Sequence, residues 1–125
     1  MNWTGILIFA GVIAVFIFLK RAGQISAKSA REHLKNGALV IDVRSRGEFN
    51  SGHLSQAVNI PLDEIETDIA RRVPDKNRVL LLHCLSGTRS AFAKNKLKKL
   101  GYTSVFNLGS VARMRKICDN AAVYK

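Results

Sequence analysis

Cysteine is scarce in this chain. Two of the 125 residues, Cys84 and Cys118, carry thiols, enough for one disulfide at most and far below the density of a small secreted scaffold stapled by bridges. A lone Cys84–Cys118 bond is the alternative to two thiols. The three histidines, His33, His53 and His83, show no ligand spacing with either cysteine, so neither a metal site nor a cofactor is expected. There is no internal repeat and no low-complexity tract, and a hydrophobic content of 47% suits one small domain plus an extra apolar segment.

Charge is missing altogether from Trp3 to Leu19, and Ile6 to Leu19 is apolar throughout. As a helix this run rises roughly 25 Å at about 1.5 Å per residue, the short end of what crosses a bilayer core. Residues 1–21 are therefore read as a transmembrane anchor, with Asn2 and Trp3 at one interface and Lys20 and Arg21 at the other. A cleaved signal peptide competes with this reading, but no basic residue precedes the run and no small-x-small site follows it. A buried soluble helix is disfavoured because no face carries a charge. Lys20, Arg21, Lys28, Arg31 and Lys35 all follow the span, so the positive-inside tendency places the domain of residues 22–125 on the cytoplasmic side of the membrane, in a reducing milieu.

Acidic residues are also few: nine against twenty basic ones, every basic residue lying beyond the span, for a formal net charge of +11. Anionic lipid beside the anchor would gain about 1 kcal/mol per nearby basic residue. A small dianionic substrate would be concentrated by the same field. Nucleic acid ranks last and is not expected as a partner, since aromatics are sparse and no base-reading module is present.

What is present alternates. Ser26 can cap a helix with apolar positions Ala27, Ala30 and Leu34, and Gly37 can end it. Ala38 to Ile41 reads as a doubly buried parallel strand running into Asp42-Val43-Arg44. A polar turn region with Gly47 and Gly52 leads to a short strand, Ala57 to Ile60, stopped by Pro61. Leu62, Ile65, Ile69 and Val73 mark a helix closed by Pro74, after which come a strand from Val79 to Leu82, a helix from about Ala91 to Leu100, a strand from Ser104 to Leu108 and a last helix from Val111. The expected fold class is α/β with a mainly parallel central sheet. Ligands bind outside the carboxyl ends of such strands, where Asp42 and Cys84 both fall.

Leu80 to Ser90 runs an apolar strand straight into Cys84, then Leu85-Ser86-Gly87-Thr88, then Arg89 and Ser90. Successive backbone N–H groups at a helix N-terminus form an anion-binding concavity, and a thiolate is the anion such a place favours. The same surroundings lower a cysteine pKa from about 8.5 to roughly 3.5–7.5. Gly87 would allow the tight turn. Arg89 either orients an anionic substrate through its planar donors or pairs with a carboxylate of the fold and only shapes the loop. The reading requires that the amides face Cys84 and that its sulfur not be sealed in the core.

Ile41-Asp42-Val43-Arg44, Glu48-Phe49, Gly52-His53-Leu54, Ala57-Val58-Asn59-Ile60-Pro61-Leu62, the segment Cys84 to Ser90, and Gly101-Tyr102 with Val105 and Leu108-Gly109 stand in an order and spacing that resembles the single-domain rhodanese homology family over about residues 24–117. That resemblance implies a rhodanese-like three-layer α/β domain and a sulfurtransferase. Cys84 would take a sulfane sulfur from a small anionic donor such as thiosulfate, hold it as a persulfide, and pass it to a thiol, of a small molecule or a protein, or to a cyanide-like acceptor. Leu85, Ser86, Gly87, Thr88, Arg89 and Ser90 would bind the substrate. Four residues separate Cys84 from Arg89, one fewer than in cysteine phosphatases and arsenate reductases, and a residue adds up to about 3.3–3.6 Å of contour. The shorter cradle suits a sulfur atom better than a tetrahedral oxyanion.

Asp42 and Arg44 are read as an ion pair bracing the rim, a structural role that the resemblance favours over catalysis. His53 fixes a turn, His83 is a strand residue, Cys118 sits in the tail or core, and Lys94, Lys96, Lys98 and Lys99 form a solvated basic face. Ser110 and Met114 depart from the family's second glycine and tryptophan. The rival to the enzyme is a membrane-tethered binding module whose cysteine loop is idle.

Overall fold

The apolar runs form a four-stranded, wholly parallel sheet of order β2–β1–β3–β4, in which β1 is Leu39–Asp42, β2 Val58–Asn59, β3 Leu80–His83 and β4 Val105–Gly109. The computed structural model describes residues 2–118, with backbone alone at 20–22. Residues 119–125, the end of the expected domain, and Met1 of the expected anchor lie outside them.

Unbroken apolar strands work here because both faces are covered, so that alternate side chains enter opposite cores. Leu80, Leu82 and Cys84 join Ile41, Val43 and Ile60 under α4 (Ile65–Arg72) and α5 (Thr88–Lys99), which contribute Ile65, Ile69, Ala93 and Leu97. Leu81 joins Val40 and Leu108 on the other face, under α2 (Ala27–Lys35) and α6 (Val111–Cys118), which contribute Ala30, Met114, Ile117 and Cys118. The two cysteines therefore belong to different cores, and no disulfide joins them. Met114 is fully buried, so its departure from the family pattern is absorbed by packing.

Most expected elements form. Ser26 caps α2, its side chain accepting from Ser29 N at 3.2 Å. Two expectations are corrected. The polar stretch around Gly47 is not only a turn: it holds a short helix, α3 (Arg46–Asn50), begun by a capping box in which Ser45 and Glu48 satisfy each other's backbone N–H groups. And α5 starts at Thr88 rather than near Ala91, drawing Thr88, Arg89 and Ser90 into its first turn.

The N-terminal run is α1 (Trp3–Ala22). Among the described residues no helix is long and apolar enough to cross a membrane. The uncharged stretch Trp3–Leu19 rises only about 25 Å against a hydrocarbon core of about 30 Å, so the fold does not bear out the expected transmembrane helix. The basic face expected on α5 is also smaller than its sequence suggested. Lys96 Nζ pairs with Glu66 at 3.2 Å, and Lys94 Nζ reaches Gly23 O at 3.4 Å, leaving Lys98 and Lys99 as its exposed lysines.

Candidate active site

β3 delivers Cys84 to the carboxyl edge of the sheet, and the chain turns within Leu85-Ser86-Gly87 before α5 begins. Gly87 makes the turn possible. Its φ is 94°, and a Cβ at that position would lie 3.1 Å from Gln24 Nε2 and 3.3 Å from Gly109 Cα, so conformation and space both select glycine. The turn aims the Gly87 N–H at Cys84 Sγ, 2.9 Å away, and the Ser90 hydroxyl lies 3.5 Å from the same sulfur. Burial pushes the Cys84 thiol up, but hydrogen bonds from the Ser90 hydroxyl and from the backbone of Ser90, Gly87 and Ser86 outweigh it, and the pKa is lowered. The amides thus face the sulfur as the sequence required.

The second requirement is not met. Cys84 has no solvent-exposed surface and belongs to the core under α4 and α5, whereas the next residue, Leu85, is 59% exposed and Ser86 and Thr88 are open to solvent.

Arg89 takes the pairing role. Its Nη1 and Nη2 contact Glu48 Oε1 and Oε2 at 2.6 and 2.9 Å, a bidentate pair that ties the first turn of α5 to α3. The Arg89 hydrogen bond is the main reason that the Glu48 pKa falls to about 2. A carboxylate held low when folded contributes stability above its unfolded pKa, near 4.5, that is lost as pH falls toward about 2. Glu48→Gln is therefore expected to lower the urea midpoint at pH 7, with the gap from wild type closing as the pH approaches 2; equal gaps at both ends would remove the pair from the account.

Asp42 and Arg44 brace the rim as expected. Arg44 Nε lies 3.0 Å from both carboxylate oxygens and Nη2 lies 2.8 Å from Oδ2, while Nη2 also donates to Gly52 O at 2.8 Å. His83 points into the same buried corner, with Nε2 3.6 Å from Asp42 Oδ2 and neither ring nitrogen hydrogen-bonded. Burial lowers its pKa, so it is neutral, as a packed strand residue should be. His53 fixes its turn, Nδ1 meeting Phe49 O at 2.7 Å while the two rings stack.

Two depressions flank the loop. One, of about 430 Å³, is lined by Arg44, Glu48, Leu85, Val111, Ala112 and Arg115. The other, of about 480 Å³, lies between α1 and α5 and is lined by Phe16, Leu19, Gly87, Thr88, Phe92 and Asn107 among others.

Three residues near the sulfur were not singled out as site residues by sequence. Glu48 had a legible signal in the Ser45-x-x-Glu48 box. Asn107, whose Nδ2 donates to Gly87 O at 3.1 Å and whose Oδ1 accepts from Ser90 Oγ at 2.7 Å, had none. Neither did Gln24, packed against Gly87 and Gly109. Both reach the loop from distant parts of the chain.

The family model for the rhodanese-like domain matches residues 26–112. Thiosulfate sulfurtransferase PspE of Escherichia coli (strain K12) is 42% identical over 71 residues, covering 57% of this chain and 68% of that protein. A solved rhodanese with anions from E. coli is similar with a TM-score of 0.63 at 35% identity, covering 71% of this chain and 98% of its own. A tRNA sulfurtransferase of Thermoplasma acidophilum is 29% identical over 87 residues, 70% of this chain but only 17% of that longer protein. With a match that takes in the sheet, the cysteine loop and most of the flanking helices, this chain belongs to the rhodanese-like sulfurtransferase family.

Proposed function

We propose that the protein is a thiosulfate-type sulfurtransferase working through a Cys84 persulfide. The observation that carries the reading is the Gly87 N–H at 2.9 Å from a sulfur whose pKa is lowered, at the mouth of a parallel strand and the start of a helix. The Cys84 thiolate attacks the outer sulfur of thiosulfate, a new S–S bond forms, the old one breaks, and sulfite leaves with the bonding pair. Negative charge then rests on the outer sulfur of the persulfide. The N–H groups of the loop and of the first turn of α5 stabilise it there. A thiol acceptor, deprotonated, attacks that outer sulfur and restores the Cys84 thiolate, so the kinetics are ping-pong. Arg89 holds the loop through Glu48, and its side chain, 35% exposed, offers the remaining guanidinium surface to an anionic donor.

The test is mass spectrometry of the full chain in detergent after incubation with thiosulfate. A gain of one sulfur atom on the peptide bearing Cys84 is expected, lost again on adding a thiol. The absence of solvent-exposed surface on Cys84 favours the idle binding module instead, and no adduct with any sulfane donor would decide for it.

We further propose that α1 holds the domain at a membrane through its exposed apolar side chains. Its large apolar side chains are exposed: Trp3 72%, Leu7 68%, Phe9 68%, Phe16 67% and Phe18 69%, surface that water disfavours. The basic residues that follow α1 in the sequence favour the anionic cytoplasmic leaflet, which supports a domain on the cytoplasmic side. A C-terminal reporter active only outside the cytoplasm should stay silent; a bright reporter would reverse the orientation.

A further inference from the structure

The Ser90 hydroxyl has one proton and three acceptors within reach: Asn107 Oδ1 at 2.7 Å, Gly87 O at 3.1 Å and Cys84 Sγ at 3.5 Å. It can donate to one of them at a time. The shortest contact is to Asn107, a residue only 3% exposed whose amide cannot turn over. Its Nδ2 donates to Gly87 O at 3.1 Å, and its Oδ1 also accepts from Gly109 N at 3.0 Å. Reversing the amide would set oxygen against a carbonyl and NH2 against an N–H. Oδ1 is therefore fixed toward Ser90.

We propose that Asn107 is a positioning residue that holds the Ser90 proton off Cys84 while the sulfur is neutral and yields it once the sulfur bears negative charge, as thiolate or as persulfide. This rests on the reading of Cys84 as the sulfur-carrying nucleophile. A hydrogen bond to an anion is roughly twice as strong as one between neutral groups, so a charged sulfur outcompetes the amide oxygen, and the neutral thiol does not. The hydroxyl rotates about its own C–O bond and no other group needs to move. Stabilisation of the sulfur then switches on with its charge, which raises the thiolate fraction at neutral pH.

Of the charged groups on the elements packed around the loop, Arg89 of α5 interacts electrostatically with Cys84 and is paired with Glu48 of α3. Asp42 with Arg44 at the end of β1, and His83 on β3, form the neighbouring buried corner, and Arg113 of α6 donates to Leu108 O at 2.7 Å. The test leaves all of them in place.

The experiment follows the rate of iodoacetamide alkylation of Cys84 against pH in the full chain, read by mass on the peptide bearing Cys84, for wild type, Ser90→Ala, Asn107→Leu and the double variant. Ser90→Ala is expected to raise the midpoint by about one to two pH units, a tenfold to hundredfold shift of the thiolate equilibrium. Asn107→Leu, which releases the Ser90 proton to the sulfur, is expected to lower the midpoint when Ser90 is present and to leave it unchanged when residue 90 is alanine. A residue that only supported the loop would raise the midpoint when removed, by the same amount in both backgrounds, and that outcome overturns the proposal. So does a Ser90→Ala midpoint equal to wild type. If Asn107→Leu does not fold, Asn107→Val, smaller and suited to a strand, replaces it. Thiosulfate uptake is weighed in the same preparations: a wild-type chain that gains no sulfur ends the transfer reading, while the titration pattern by itself decides the role of Asn107.

Discussion

Cys84→Ser is expected to abolish sulfur uptake from thiosulfate, reducing both the persulfide mass gain and turnover to background. The change replaces one atom and leaves the loop nearly isosteric, so the fold should survive and the loss can be assigned to chemistry. A serine hydroxyl in this cradle would still accept the Gly87 N–H, yet it cannot form a persulfide, and its alkoxide lies far out of reach at neutral pH whereas the thiolate does not. Wild-type transfer should rise with pH through a midpoint below that of an ordinary free cysteine, because hydrogen bonds outweigh burial at Cys84. Retained sulfur uptake in Cys84→Ser would move the chemistry elsewhere in the chain, with Cys118 the remaining thiol.

The largest effect on stability is expected from Asp42→Ala. Asp42 is completely buried, the Arg44 side chain is 7% exposed, and the carboxylate accepts from both the guanidinium and the Arg44 backbone N–H, the last at 3.0 Å. Removing one member of a buried pair leaves the other charge desolvated, a loss of about 3–5 kcal/mol from a total of about 5–15 kcal/mol for a domain of this kind. The Gly52 carbonyl still accepts from Arg44, but a neutral dipole does not offset an ion's desolvation. The urea midpoint should fall sharply at unchanged m. Asp42→Asn, which keeps an acceptor for the backbone N–H, should lose less. If Asp42→Ala stayed within about 0.5 kcal/mol of wild type, the range of an ordinary surface substitution, the pair would not be what braces the rim.

Much of this architecture was legible residue by residue. Ala38–Ile41 reads as a doubly buried strand and Val79–Leu82 as a strand because nothing polar interrupts either run, and the structure shifts each by one residue, to Leu39–Asp42 and Leu80–His83; Ser26 reads as a cap because its hydroxyl can serve an N–H within its own turn. The helix at Arg46–Asn50 was missed although its capping box is printed in the sequence, since five residues give too little periodicity to stand out. The start of α5 was placed too late for a related reason: Gly87 and Thr88 look like loop residues, and only the left-handed turn at Gly87 shows that the helix begins at once behind it.

The cysteine cradle is local, and the sequence alone determined it. Four residues between Cys84 and Arg89, with a glycine among them at the end of an apolar strand, leave the backbone few ways to turn except with its N–H groups toward the sulfur. What closes that cradle comes from far along the chain: Glu48 from α3 onto Arg89, Asn107 from β4 onto Ser90 and Gly87, Gln24 against Gly87 and Gly109. Such contacts depend on which strands neighbour one another and in what register, and strand order follows from packing both faces of the sheet at once. Local steric rules are written in neighbouring residues, whereas partners brought together by a folded core exist only once the core has formed.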